Sequence, residues 1–415
     1  MLGLKIAWRN IWRNKRRTTV TATAIALNTA ILMLLFGLMN GMKRSSVKNV
    51  TDLTVGEVQV HAPKYRIDRS MFRAIPNPEK ILDRAKSLGV SAAPRAYGYG
   101  LVSIGSKSAG AQFWGVDPKA ELETFTLAKH LSSGSFLSAE PSGTQRMGKS
   151  PIKELVLGRK LARSLHARIG TEIIAVVQGA DGSVGNELFT VTGILKSCGE
   201  EIDRSAAIIK AVDFEDLFVS QGRIHEIALN SGGRLTPEGL AKALAQSAPK
   251  MEVMTWRQIL PAFSAMINML DGSMILFSFI FFLAAGLGVL NTMLMATFER
   301  IREFGVLKAL GATPWRILRG VSTEAFVMAV FASLLGSVVG IASMYYFHRV
   351  GLDLSFAGGD ISFSGVAFDP VWRSTMDASS IVGPVISMWF VSVLAALYPG
   401  VKVARIDAVT AMNHV

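Results

Sequence analysis

Four long stretches of the chain carry no charged residue: 18–42, 272–298, 325–347 and 378–401, of 25, 27, 23 and 24 residues. About 20 apolar residues cross the hydrocarbon core of a bilayer as a helix, so each stretch predicts one membrane span. The first exceeds the ~7–15 residue apolar core of a secretion signal, and no small-x-small cleavage pattern follows it before Lys43. It therefore reads as an uncleaved anchor. Ahead of it, Leu4, Ala7, Trp8, Ile11 and Trp12 recur at helical spacing, while Lys5, Arg9 and Arg13 take another face. Residues 1–17 thus predict an amphipathic helix at the membrane interface, with its tryptophans at headgroup depth.

Residues 43–271, between the first two spans, alternate strand-like and helix-like runs. GEVQVHA, YGYGLVSIG and AQFWGV read as strands, and GRKLARSLHARIG as a helix between the strands KELVL and TEIIAVVQ. GADGSVGNE has turn chemistry, with Asp181 directly before Gly182, and predicts a hairpin joining EIIAVV to LFTVTGIL. Residues 131–151, rich in Ser, Gly and Pro, read as a surface loop. TWRQILPAFSAMINML continues the second span outward as a stalk, interrupted near Pro261. The expected fold is a four-helix membrane α-helical part plus a mixed α+β extracytoplasmic domain.

Composition agrees. Of 415 residues, 50% are hydrophobic and 18% charged, with a mean hydropathy of +0.36. Soluble domains average roughly 25% charged residues. The net charge of +13 could suggest nucleic acid, but its distribution points elsewhere. Residues 1–17 carry Lys5, Arg9, Arg13, Lys15, Arg16 and Arg17 with no acid, 299–324 carry five Lys/Arg, and the tail 402–415 has Lys402 and Arg405. The loop 348–377 sets Arg349 and Arg373 against four aspartates. Positive short loops stay inside, so both termini are expected to be cytoplasmic, with no nucleic-acid partner. The domain 43–271 is itself basic, 29 Lys/Arg against 23 Asp/Glu, yet long domains cross largely regardless of charge. The lone cysteine, Cys198, excludes an internal disulfide and reads as a small inert residue.

Catalytic signatures are missing. GTQRMGKS, residues 143–150, fits the phosphate-loop pattern, but LSAEPS precedes it and Pro151 follows, where a strand and a helix are required. It is read as a coincidence. The six histidines show no metal-ligand spacing, and no nucleophile motif stands out, so no enzyme is expected.

The segment ERIREFGVLKALGATPWRILRGVSTEA, residues 299–325, reads as two helices with a break. Gly311 suits a helix C-cap, and Thr313 with Pro314 an N-cap and first helical position, leaving a short helix over roughly Ile301 to Leu310. Its amphipathic pattern alone fits a connector that only anchors the span equally well. This segment resembles the coupling region of the MacB/LolC/LolE/FtsX-type ABC permeases, R-x-R-E-x-G-x-x-x-A-x-G-A, through Arg300, Arg302, Glu303, Gly305, Ala309, Gly311 and Ala312. The tail is similar to the family's closing motif through Pro399, Ala404 (displaced by one residue), Asp407 and Ala411. LGRKLARSLHARIGTEI and FTVTGILKSCGEEIDRSAAII resemble the core of the family's outer domain.

The resemblance implies a permease subunit with 299–324 as its cytoplasmic coupling helix. Arg302, Glu303, Phe304, Gly305, Lys308, Ala309, Gly311 and Ala312 would meet a separate ABC ATPase. By the same resemblance that partner would bind ATP and Mg, and no cofactor is expected on this chain. Family members with a fused ATPase are longer than this chain. The resemblance also implies a second permease copy or a paralogue that would complete a dimer in the bacterial inner membrane. Lipoprotein or lipid extraction is the leading expectation, since GLMNGM ends the first span much as lipoprotein releasers end theirs. Export of other cargo through a periplasmic adaptor, or signalling to envelope enzymes, is the alternative. Met39, Met42, Met266 and Met269 could line a surface for acyl chains, although lipid-facing filler is the plainer reading. Gly336 and Gly340 permit close helix packing, within the chain or between copies.

Overall fold

The computed structural model describes residues 7–9, 12–140, 146–147, 150–151, 153–353, 362–363, 366–367, 371–407 and 411. It divides into two compact units, one of Met1–Arg44, Ile267–Ala357 and Val371–Val415, the other of Ser45–Met266 and Gly358–Pro370.

The first unit is helical. Its helices are α1 (Lys15–Val50) and α2 (Pro261–Phe298), whose ends beyond Arg44 and before Ile267 belong to the second unit, with α3 (Ile301–Ala309), α4 (Pro314–Arg349) and α5 (Ala378–Arg405), and Leu352–Asp353 pairs with Val371–Trp372. All but α3 are long and apolar enough to cross a membrane. Several outrun it: at 1.5 Å per residue the 38 residues of α2 rise about 57 Å, against a hydrocarbon core of about 30 Å. Hydropathy marks where lipid ends, but backbone hydrogen bonding decides where a helix ends. Polar Lys43–Val50 therefore stays in α1, which runs on as a π-helical turn, Thr51–Val55.

Of the interfacial helix expected over 1–17, residues 7–9 are helical, Trp12–Asn14 form a bend and Lys15–Arg17 already belong to α1; Leu4, Lys5 and Ile11 lie outside the described residues. The unit's core gathers Ile25 of α1, Val289 and Met293 of α2, Val321 of α4 and Met388 of α5. Gly336 lets α4 reach α1, because a Cβ there would collide with the carbonyl oxygen of Ala26. Gly340, one turn on, lies against Ala30 and Met33, so both glycines serve contact within one chain.

The second unit is built on a mixed ten-stranded sheet. Its elements are β1 (Val58–His61), β2 (Ser91–Ile104), β3 (Lys107–Val116), β4 (Leu131–Gly134), a separate pair β5 (Arg146–Met147) and β6 (Ser150–Pro151), β7 (Glu154–Leu157), β8 (Glu172–Gln178), β9 (Val184–Leu195), β10 (Ala206–Lys210), β11 (Glu226–Asn230) and β12 (Glu252–Thr255). The order is β12-β1-β11-β2-β3-β10-β7-β9-β4, with β8 bridging β2 and β9. Pairing is antiparallel except for β3 with β10 and β7 with β9. Helices 78–87 and 237–247 cover β1 and β11 through Ile81, Leu240 and Leu244, whereas Leu161, Phe214 and Phe218 cover the other half.

The hairpin runs from β8 to β9 with Gln178 opposite Val184, so its loop is shorter than GADGSVGNE. Asp181 accepts from the Ser183 amide and closes the turn early, which frees Val184–Glu187 to pair as strand. The loop expected over 131–151 contains β4, paired with β9; Gly143–Gln145, Gly148 and Lys149 of the phosphate-loop-like stretch lie outside the described residues. The second span's outward extension breaks at Leu260. Thr255 and Gln258 form a capping box on the single turn Trp256–Ile259, Leu260 leaves helical space (φ −121°, ψ 70°), and Pro261 restarts the helix where its missing N–H is harmless.

Candidate functional site

Two places bring functional chemistry together, one in each unit. The first is α3. Ile301, Phe304 and Gly305 turn inward and pack among Ile317, Val321 and Val403. Arg300 anchors the start of α3, donating to buried Glu324 at 2.9 Å and to Glu303 at 2.9 Å. Glu303 also accepts from Arg13 at 2.8 Å, and Arg17 pairs with Glu299 at 2.8 Å. Partial burial works against the Glu303 charge, but Arg300 and Arg13 hold its carboxyl below the usual range.

Lys308 donates to the carbonyls of Ala404 (2.7 Å) and Ile406 (2.5 Å), closing the C-terminus of α5, where a cation also favours the helix dipole. Gly311, at φ +89°, caps α3 by donating to Lys308, while the Ala312 amide reaches Leu307.

The resemblance assigned eight residues to partner contact, and the structure places them unequally. Phe304 and Gly305 are inside, Glu303 and Lys308 have internal partners, and Arg302, Ala309 and Gly311 are exposed, with Ala312 half-buried. Glu303, Phe304, Gly305 and Lys308 thus help to fix α3 in place. The outward face was missed: Val306 and Leu307, with Leu310 at 80% and Trp315 at 70% exposure, present an apolar surface. Hydrophobicity alone reads such residues as core; their spacing against Ile301 and Phe304 was the available signal.

The second place lies at the roots of the two outward helices. Arg95, 1% exposed, donates to Glu121 at 2.6 and 3.1 Å, to Glu226 at 3.0 Å and to the carbonyl of Thr54 at 2.6 Å. Burial opposes its charge, and Glu121, Tyr97 and Glu226 more than restore it, so its pKa is raised. Thr54 belongs to the π-turn that ends α1, and the next carbonyl, Val55, accepts from Gln59 at 2.8 Å. Both are carbonyls a helix end leaves open. At the other root, Arg66 donates to the carbonyl of Ile259 at 3.0 Å. Apart from Glu121, these groups line one cavity of about 170 Å³.

Tyr65 stacks between His61 and His225, at 5.6 and 5.4 Å. The Tyr97 amide donates to Nδ1 of His225, whose Nε2 faces the Met71 carbonyl at 2.9 Å. That geometry fixes the neutral Nε2–H tautomer, since a proton on Nδ1 would break the Tyr97 bond. Burial lowers the pKa of both histidines, with Glu226 partly opposing.

A buried neutral histidine leaves stability intact above the unfolded value of 6.5. Below it the unfolded chain takes up a proton that the fold refuses. Stability is expected to fall with pH there, by up to about 1.4 kcal/mol per pH unit for each histidine. Melting of the solubilised chain at pH 7.5 and 5.5 tests this, and His225→Gln should flatten the dependence.

The methionines do not share one environment: Met42 is 7% exposed and Met269 67%, with Met39 and Met266 between. GLMNGM seats another segment. The Thr375 amide donates to Gly37 at 3.0 Å, and the Arg373 carbonyl occupies the place of a Gly41 Cβ. Cys198 is buried, which together with Asp203 pushes its thiol up to about 12, so little thiolate exists near neutrality.

Comparison with known proteins covers both units. Residues 18–247 match the MacB-like periplasmic core domain, and residues 275–408 the FtsX-like permease C-terminal domain. The macrolide export ATP-binding/permease protein MacB of Marinobacter nauticus is 24% identical over 82% of this chain and 52% of that protein; the chain spans about half its length. The lipoprotein-releasing system transmembrane protein LolC of Neisseria meningitidis is 20% identical over 96% of this chain and 94% of that protein. The pyoverdine export ATP-binding/permease protein PvdT of Pseudomonas syringae is 23% identical over 99% of this chain and 59% of that protein. With an FtsX-like membrane part and a MacB-like outer domain, the chain belongs to the MacB/LolC/FtsX-type family of ABC transporter permeases.

Proposed function

We propose that this chain is the subunit through which a separate cytoplasmic ABC ATPase does mechanical work outside a bacterial inner membrane. The observation that carries the reading is the apolar outer face of α3, the turn after it and the start of α4: Val306, Leu307, Leu310 and Trp315. Apolar side chains held outward on a loop rich in Lys and Arg call for a protein cover. Positive charge on the short loops puts this face and both termini in the cytoplasm, with the ATPase that binds ATP and Mg. A second copy or a related chain completes the dimer. ATPase closure moves α3, and α1 and α2 carry the motion to the outer domain.

Extraction of lipoproteins or lipids from the membrane is the favoured work, supported by similarity to LolC along nearly the full length of both proteins. The MacB and PvdT relatives support export instead, through a match to part of each. Affinity purification of the tagged chain from native membrane, with mass spectrometry, tests the reading. A small ATPase with lipoproteins is the expected result. An ATPase with an envelope-spanning adaptor would replace extraction by export, an ATPase with envelope enzymes would favour signalling, and no ATPase would overturn the proposal.

A further inference from the structure

A groove between α1 and α4 belongs to neither place described above. Its volume is about 370 Å³, and Ala22, Ala26 and Ala30 of α1 face Leu335 and Val339 of α4 across it. Trp12 and Phe331 line one end, and Trp8 meets both edge-on, at 6.0 Å from Trp12 and 5.4 Å from Phe331. Thr18 and Thr19 line that same end and Thr23 follows one turn on, so the groove changes along its length from hydroxyl-bearing to aliphatic from Ala26 onward.

Lys15 lies one helical turn ahead of Thr18 and Thr19 on the same face, with Arg16 beside it, and both are exposed. Arg13 and Arg17, by contrast, pair with Glu303 and Glu299. No acidic residue occurs in 1–17. From Thr18 to Ala30 the helix rises about 18 Å, close to the ~15 Å depth of one leaflet.

Cations, then aromatic rings and hydroxyls, then an aliphatic end, together about as long as one leaflet is deep, is the order of chemistry in a phospholipid, from phosphate through esters to acyl chain. We propose that this groove binds one acyl chain of an anionic phospholipid, with Lys15 and Arg16 on its phosphate. A zwitterionic lipid would fill the trough equally but gain less from the cations. The bound lipid acts as a structural ligand of the α1–α4 pair, and the site depends on neither the cargo nor the ATPase.

Native mass spectrometry of the full chain, titrated with phosphatidylglycerol or phosphatidylcholine, tests this. One phosphatidylglycerol per chain should be retained, at least tenfold more tightly than phosphatidylcholine. Thr23→Phe fills the groove from an exposed position and should weaken that binding at least tenfold. Lys15→Glu should remove the preference for the anionic lipid. Leu287→Phe, which adds a ring on an exposed part of α2 away from the groove, should change neither. Unaltered phosphatidylglycerol binding in Thr23→Phe, or equal binding of the two lipids by the unaltered chain, overturns the proposal. So does a photo-crosslinker at Thr23 that joins two copies of the chain and captures no lipid.

Discussion

Arg95→Met is expected to destabilise the outer domain by about 3–5 kcal/mol, the usual cost of removing one partner from a buried ion cluster. Glu121 and Glu226, at 1% and 9% side-chain exposure, would be left without a cation, and the Thr54 carbonyl would lose its donor. Adding Glu121→Gln and Glu226→Gln should recover part of the loss, because the cost lies in the stranded charges more than in missing contacts. Denaturant unfolding of the solubilised chain measures it. A loss under about 1 kcal/mol would mean that water reaches the cluster and screens it.

The second large effect is expected at α3. Leu307→Asp together with Leu310→Asp should weaken association with the ATPase by at least about 30-fold, since a buried interface anchor contributes roughly 2 kcal/mol or more. Melting of the chain should be unchanged, because both side chains are exposed. Phe304→Ala should do the reverse, lowering stability first, since that ring is packed inside. Co-purification of the ATPase with each variant reads the difference. Undiminished association of the Leu307/Leu310 variant would refute α3 as the docking element.

Membrane spans are legible in sequence because lipid demands an unbroken apolar run, and that run was visible at all four places. The strands of the outer domain were legible where alternation is clean, as in β8, whose Ile173, Ala175 and Val177 turn inward. The root cluster was not. His61, Arg95, Glu121 and Glu226 come from four distant stretches, and a charged residue in a strand reads as solvent-facing until its partners are known. At α3 the motif letters were legible, but their role depends on direction. Helical periodicity gives relative faces, and only packing decided that Phe304 points in while Leu307 points out.

The attachment of the two outward helices has a mechanical consequence. β1 leaves the α1 root and β12 enters the α2 root, and they are antiparallel neighbours, Val58 opposite Thr255. The Trp256 amide ties the same end by donating to the Glu57 carbonyl at 3.0 Å. Equal tension on both helices therefore slides neither strand past the other, and the pair is carried as one body. Opposed tension instead shears a ladder of four residue pairs, so the joint transmits a shared pull and resists a twist up to the strength of that short ladder.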